Sequence, residues 1–179
     1  MNSAELKSQQ RMTAMRGGLA FAISAAALVG SAIWLPDLVS FPVGSVESLL
    51  FACKVNLVPG IILMIAIRIV SRIRFRSPPD SRGSAYAPPS EKLSIPAAFL
   101  QNTLEQSVLF ALATFGLATV ARPSALAYMA AAAALFVIGR VAFWFGYVQG
   151  AGGRAFGMVM TMTPAIGALA WSAYEIVLE

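Results

Sequence analysis

The chain has no histidine, a single cysteine and few charged residues. Of its 179 residues, 12% are charged and 58% are hydrophobic, whereas a soluble domain carries about 25% charged residues. The absence of histidine argues against imidazole-based catalysis and against most transition-metal sites, so we predict no metal. With Cys53 alone, no internal disulfide bond is possible. The composition therefore indicates a membrane protein and one bundle rather than several domains.

Five long apolar segments run along the chain, at about residues 17–35, 49–70, 97–120, 125–147 and 155–177. Each is close to the roughly 20 residues that a helix needs to cross the hydrocarbon core. We predict helices because backbone polar groups cannot be left open in lipid. Proline and glycine clusters separate the segments, and a polar loop spans about residues 71–96. The sequence thus predicts an all-α integral membrane protein that crosses the bilayer five times.

The basic residues predict the orientation. With five crossings, the N-terminal tail, the loop over residues 71–96 and the turn near residue 150 share one side. The positive-inside rule makes that side cytoplasmic, with the C-terminus outside, in a bacterial-style inner membrane. Clustered cations suit an anionic membrane face, and no motif for binding nucleic acid accompanies them. The basic residues of the three regions are Lys7, Arg11, Arg16, Arg72, Arg74, Arg76, Arg82, Lys92 and Arg154.

The first segment has a second interpretation. A basic start, an apolar stretch and the small residues Gly30-Ser-Ala32 also resemble a cleavable signal peptide. The basic part is long and the apolar stretch exceeds the usual length, which favours a retained helix. Under either interpretation the remaining four helices keep the same orientation.

Polar residues that are costly in lipid lie near the cytoplasmic end of the later segments. An ionised arginine inside an apolar helix costs about 3 kcal/mol or more without a partner or water. Arg140 is about 10 Å below the end of the fourth segment at Tyr147, and Glu105 is at a similar depth on the third. Asn102 shares the face of Glu105. Arg154 opens the fifth segment, where the helix dipole also favours an anion.

Two interpretations of these residues remain open. Glu105 and Arg140 could form a structural ion pair, within or between subunits, that fixes the register of two helices. Alternatively, the residues form a pocket, because Arg72 and Arg76 are predicted at the same membrane level. Several cations, one carboxylate and one amide suit a small zwitterionic ligand with more than one carboxylate.

At these residues the chain resembles the MAPEG family, the membrane-associated proteins of eicosanoid and glutathione metabolism. Three motifs carry the resemblance, over about residues 49–177. Arg72-Ile-Arg-Phe-Arg-Ser-Pro-Pro79 is similar to the basic, proline-ended exit of the family's first helix. Gln101-Asn-Thr-Leu-Glu105 is similar to its Asn-x-x-Glu element, and the series Arg140, Tyr147, Arg154 is similar to its Arg…Gly-Tyr…Arg element.

The resemblance implies a MAPEG-type four-helix bundle over residues 47–179, with residues 1–46 as a tail and one extra N-terminal transmembrane helix. It implies a homotrimer in the lipid bilayer that uses glutathione as cosubstrate, in a transferase or peroxidase reaction with a lipophilic electrophile. Arg154 would be catalytic and would hold the sulfur as thiolate. The implied glutathione-binding residues are Arg72, Arg76, Asn102, Glu105, Arg140 and Tyr147.

Other functions are compatible with the same cleft. A non-catalytic relative that binds lipid or a protein partner is the main alternative. A small transporter subunit is a further one, although no repeat symmetry is visible and the polar residues lie near one membrane face. Turnover that depends on Arg154 would distinguish the enzyme from both.

Overall fold

The computed structural model describes residues 3–178, and this part of the chain contains helices and no strand, which confirms the all-α class. A short 3-10 turn, Tyr147–Gln149, connects the last two helices. The helices are α1 (Ser3–Leu38), α2 (Ser45–Val55), α3 (Leu57–Arg76), α4 (Glu91–Ala118), α5 (Pro123–Gly146) and α6 (Gly150–Leu178).

By length and composition, three helical stretches of the described chain are apolar enough to cross a membrane, where the sequence predicted five crossings. They are Ser3–Leu38, Ser45–Arg76 and Pro123–Leu178. The count differs partly because the last stretch contains both α5 and α6. It also differs because α4 is less apolar, with Gln101, Asn102 and Glu105 within two turns of each other.

Helix α1 is longer than the predicted first segment. The residues before Gly17, which the sequence indicated as a tail, are helical from Ser3. This stretch contains alanine, glutamate, leucine, lysine, glutamine, methionine and arginine but neither glycine nor proline, so its intrinsic helix propensity is high. Gly17, Ala20, Ser24 and Leu28 form its buried face, and this face packs on α5 and α6.

The second predicted segment is interrupted at Asn56. Pro59 follows in the first turn of α3 and cannot donate to the carbonyl of Val55, so the helical hydrogen bonds break there. The Asn56 side chain donates to Ala52 O at 2.9 Å and to Thr114 Oγ1 of α4 at 2.8 Å. The interruption therefore joins α2 to α4 through an amide.

The polar loop is shorter than predicted, because α3 continues to Arg76 and α4 begins at Glu91. A buried carboxylate closes the loop. Asp80 accepts hydrogen bonds from the Ser77 hydroxyl and from both the N–H (2.9 Å) and the hydroxyl (2.7 Å) of Ser90. These hydrogen bonds, that of Ser77 first, lower the pKa of Asp80 below its usual value.

Helices α5 and α6 approach each other closely along glycines. A Cβ atom on Gly157 would lie 2.3 Å from the backbone nitrogen of Phe143 and 2.4 Å from the carbonyl oxygen of Gly139. Gly146 and Gly153 make a similar contact one turn nearer the connecting turn, where a Cβ on Gly146 would lie 2.2 Å from Gly153 O. Small residues allow this approach, which is a common form of helix packing in membranes.

Large apolar side chains cover much of the outer surface. On α1 and α3 they include Leu19, Phe21, Met64 and Ile65, each more than half exposed. Soluble proteins rarely expose so large an apolar surface, and lipid removes its cost. The protein is therefore an integral membrane protein.

Candidate functional site

Arg140 lies at the centre of a polar cluster formed by α4, α5 and α6. It is 1% exposed. One terminal nitrogen donates to Asn102 Oδ1 at 2.7 Å, and the other donates to the Thr161 hydroxyl. Hydrogen bonds to a charged group contribute about 1.5–3 kcal/mol each, so the two together offset most of the cost of burying the guanidinium. The Arg140 Nε–H finds no hydrogen-bond partner among residues 3–178.

Aromatic rings connect Arg140 to Arg154 along the end of α5. The Arg140 guanidinium lies 4.6 Å from the centre of the Phe143 ring, and this ring lies 5.5 Å from the Tyr147 ring. The Arg154 guanidinium lies 4.9 Å from the Tyr147 ring centre. A cation within about 6 Å of an aromatic face is attracted to it. Arg140, Phe143 and Tyr147 thus lie on one face of α5, and the series of contacts extends to Arg154.

Arg154 is the fifth residue of α6, one turn after the start of the helix. The preceding 3-10 turn ends at Gln149, and Gly150 follows with a φ of +80°, which suits glycine. Helix α6 begins at Gly150, whereas the sequence predicted the fifth segment from about residue 155. Arg154 is half-buried, and no salt bridge to it is found within residues 3–178. The local dipole and the guanidinium together make this end of the helix attractive to an anion.

Glu105 does not pair with Arg140 within the chain. It lies on the exposed side of α4, where it accepts a hydrogen bond from Gln101 Nε2 at 3.0 Å. Asn102, three residues earlier, points inward and accepts the hydrogen bond from the Arg140 guanidinium. Of the two forms of ion pair that the sequence left open, the one within a chain is therefore not found among residues 3–178. Asn102 and Glu105 turn to different neighbours although they lie close on the helix.

Arg72 and Arg76 lie apart from the cluster. Both are exposed and, with Arg68 and Phe75 of the same helix, line a surface cavity of about 570 Å³. No hydrogen bond or ring contact in the described chain connects either to Arg140. Arg72 and Arg76 were expected to share a pocket with Arg140, and within one chain they do not. They form a separate basic surface on α3.

An apolar groove passes beside the cluster, between α3, α4 and α5. Its volume is about 360 Å³, and its lining includes Ile65, Phe99, Trp144 and the Arg140 side chain. Phe99 also makes an edge contact with Trp144, with ring centres 4.8 Å apart. The groove can accept an apolar chain but offers it little polar surface.

Sequence reasoning missed Thr161, Gln9 and Arg16. Thr161 is a hydroxyl in the middle of an apolar segment, and that was its only signal. Gln9 Oε1 accepts from the N–H of Gly152 at 2.8 Å, and Arg16 donates to Gln149 Oε1 at 3.0 Å. These contacts join residues more than 130 positions apart, and no local pattern predicts them. Among the described residues, no group of His, Cys, Asp and Glu could hold a metal ion.

These helices, with a buried arginine held between three of them, define an α-helical integral membrane protein with a polar site near one end of the bundle. The model of the MAPEG family matches residues 49–174, and the chain belongs to this family. The matched range begins after α1. Membership indicates a membrane function related to glutathione or to eicosanoids. Comparisons with curated proteins and with solved structures return no match.

Proposed function

We propose that the protein is a glutathione-dependent membrane enzyme, a transferase or peroxidase, in which Arg154 stabilises the thiolate. The observation that carries the proposal is the position of Arg154. It is the fifth residue of α6, lies against the Tyr147 ring and has no carboxylate partner within residues 3–178. An anion at this position would gain from both the guanidinium and the helix dipole.

The proposed reaction requires a moderate stabilisation of the glutathione thiolate relative to the thiol. A thiol with a pKa near 8.5 is only a few per cent ionised at pH 7. Lowering that pKa by about two units needs roughly 2.7 kcal/mol of preference for the thiolate. The thiol proton goes to solvent, and the sulfur then attacks an electrophilic atom of a lipophilic substrate. In the transferase reaction a carbon–sulfur bond forms and the leaving group departs, or the adduct takes up a proton.

Tyr147, which contacts Arg154, and Asn102, which contacts Arg140, supply contacts for the peptide part of glutathione. The Asn102 amide is fixed by Arg140, and within residues 3–178 its NH2 group donates only to the Met158 sulfur, at 3.5 Å. A ligand carbonyl would be a better acceptor. In this proposal Tyr147 and Asn102 bind glutathione directly, and Arg140, whose two terminal nitrogens donate to Asn102 and Thr161, acts by holding Asn102.

The remaining predicted ligands need a second copy of the chain. Glu105 and Gln101 are exposed on α4, while Arg72 and Arg76 are exposed on α3. A carboxylate facing lipid is costly, so we propose that copies associate, as the homotrimer of the family implies, and bring Glu105 and these arginines to the site between them. In this arrangement the bundle crosses the bilayer with its N-terminus in the cytoplasm and α1 as an additional helix.

Glutathione binding to detergent-purified protein, followed by the ultraviolet absorbance of the thiolate, tests the proposal. Arg154→Ala should abolish the thiolate signal and leave the oligomer intact. Arg122→Ala is the matched control, because Arg122 is 59% exposed and pairs with Glu175 at the far ends of α5 and α6; it should keep the signal. Conjugation by Arg154→Ala at the wild-type rate would refute the mechanism.

The apolar groove beside Phe99 supports the alternative, a non-catalytic protein that binds lipid. Its volume of about 360 Å³ and its apolar lining suit an acyl chain. This alternative predicts a bound lipid and no turnover with glutathione. A purified protein that fails to bind glutathione but carries lipid identified by mass spectrometry would favour it.

A further inference from the structure

Helix α1 contacts the turn that presents Arg154. The turn lies between two helices. On one side, Gly153 packs against Gly146 at the end of α5. On the other side, Gly152 packs against Met12 of α1, so closely that a Cβ on Gly152 would lie 2.7 Å from the Cβ of Met12. The turn is therefore enclosed by α1, which lies outside the range matched by the family model.

Two polar side chains of α1 complete the contact. Gln9 accepts a hydrogen bond from the N–H of Gly152 at 2.8 Å. Arg16 donates to Gln149 Oε1 at 3.0 Å and to Gly152 O at 3.5 Å. The first N–H groups of a helix have no partner within the helix, and here a side chain of another helix satisfies one of them. Gly152 is thus held through both its N–H and its carbonyl, two residues before Arg154.

We infer that Gln9 and Arg16 are positioning residues, which fix the first turn of α6 and thereby place the guanidinium of Arg154. This inference rests on the proposed function, because it assigns the two residues a role in thiolate stabilisation. Electrostatic stabilisation depends on the donor being in place before the charge develops. Without the α1 contacts the turn keeps only its packing against α5, and Arg154 samples positions farther from the sulfur.

Gln9→Leu tests the inference, because it removes the acceptor and keeps a similar volume. Gln10→Leu is the matched control, since Gln10 is the next residue on the same helix and is exposed. Losing one hydrogen bond changes an equilibrium by about fivefold. We expect Gln9→Leu to raise the pKa of bound glutathione by about 0.7, from about 6.5 to about 7.2. The thiolate fraction at pH 7, and with it kcat, should fall about twofold, and KM for glutathione should stay nearly unchanged. Gln10→Leu should match the wild type.

A second measurement separates positioning from a general loss of folded protein. Hydrogen–deuterium exchange of peptides that cover residues 148–156 should be faster in Gln9→Leu, while exchange in α4 stays unchanged. A lower yield of folded protein would reduce the rate without shifting the pH profile. Both the shifted profile and the faster exchange of the turn are expected for a positioning role.

The outcomes distinguish this inference from the proposed function. If Arg154→Ala loses the thiolate and Gln9→Leu keeps the wild-type pH profile, the inference is refuted and the proposed function stands. If Arg154→Ala keeps the thiolate, the proposed function fails, and the role of α1 in it fails as well. Loss in Arg154→Ala together with a shifted profile in Gln9→Leu supports both.

Discussion

Gly157→Ala should destabilise the protein although alanine is the better helix former. The added Cβ would lie 2.3 Å from Phe143 N and 2.4 Å from Gly139 O. These are backbone atoms, so the clash cannot be relieved by a side-chain rotation, and α5 and α6 must move apart. Overpacking of a core costs typically about 1–3 kcal/mol, and the backbone contact indicates the upper end. Replacing glycine within a helix returns about 1 kcal/mol, which leaves a net loss of about 2 kcal/mol.

Gly18→Ala provides the matched control, because no atom lies within 4 Å of a Cβ added there and Gly18 is in the interior of α1. It should be neutral or more stable by up to about 1 kcal/mol. Circular dichroism during SDS titration of the protein in mixed micelles measures the free energy of unfolding for both. Equal stability of the two variants would contradict the close approach of α5 and α6.

Three further predictions concern single interactions. Thr161→Val should lower the free energy of unfolding by about 1–3 kcal/mol, because it leaves a buried donor of Arg140 without an acceptor. Thr163→Val should have little effect, since the Thr163 hydroxyl donates to the preceding turn of its own helix. The same titration measures both variants. Acidification should open the loop that the hydrogen bonds of Asp80 close. Because the folded-state pKa of Asp80 is lowered, its stabilisation is complete above the usual pKa near 3.8 and is lost as the pH falls through the lower, folded-state value. Limited acid proteolysis between pH 5 and pH 2 follows the opening, and Asp80→Asn should be cleaved equally at both. Glu175→Gln should cost less than about 1 kcal/mol, since its ion pair is exposed on the arginine side; thermal unfolding in detergent tests this.

The membrane class, the helices and the face shared by Arg140, Phe143 and Tyr147 could be predicted, because each depends on composition or on the helical period. The partner of Arg140 could not. Asn102 and Glu105 are both at the right depth, and the choice between them depends on the rotation of α4 about its axis. That rotation is determined by packing against α3 and α6, which leaves no local signal in the sequence.

For α1 and for the interruption between α2 and α3, too, some features could be predicted from the sequence and others could not. The helical start at Ser3 follows from residue propensity, but hydropathy, which defined the predicted segment, does not report propensity. The interruption at Asn56 lies three residues before Pro59, because the proline cannot donate to the carbonyl of Val55. The contact of Asn56 with Thr114 joins residues 58 positions apart, and only the folded bundle reveals it.

The docking of α1 on the α6 turn also has a consequence for biogenesis. The bond between Gln9 and Gly152 joins residues 143 positions apart, so α1 is synthesised long before the segment it holds. Contacts of such large sequence separation form late, since the whole intervening chain must first be ordered. The turn that carries Arg154 therefore takes its final form only after the start of α6 has been synthesised and packed against α1, when every other helix is already present in the chain.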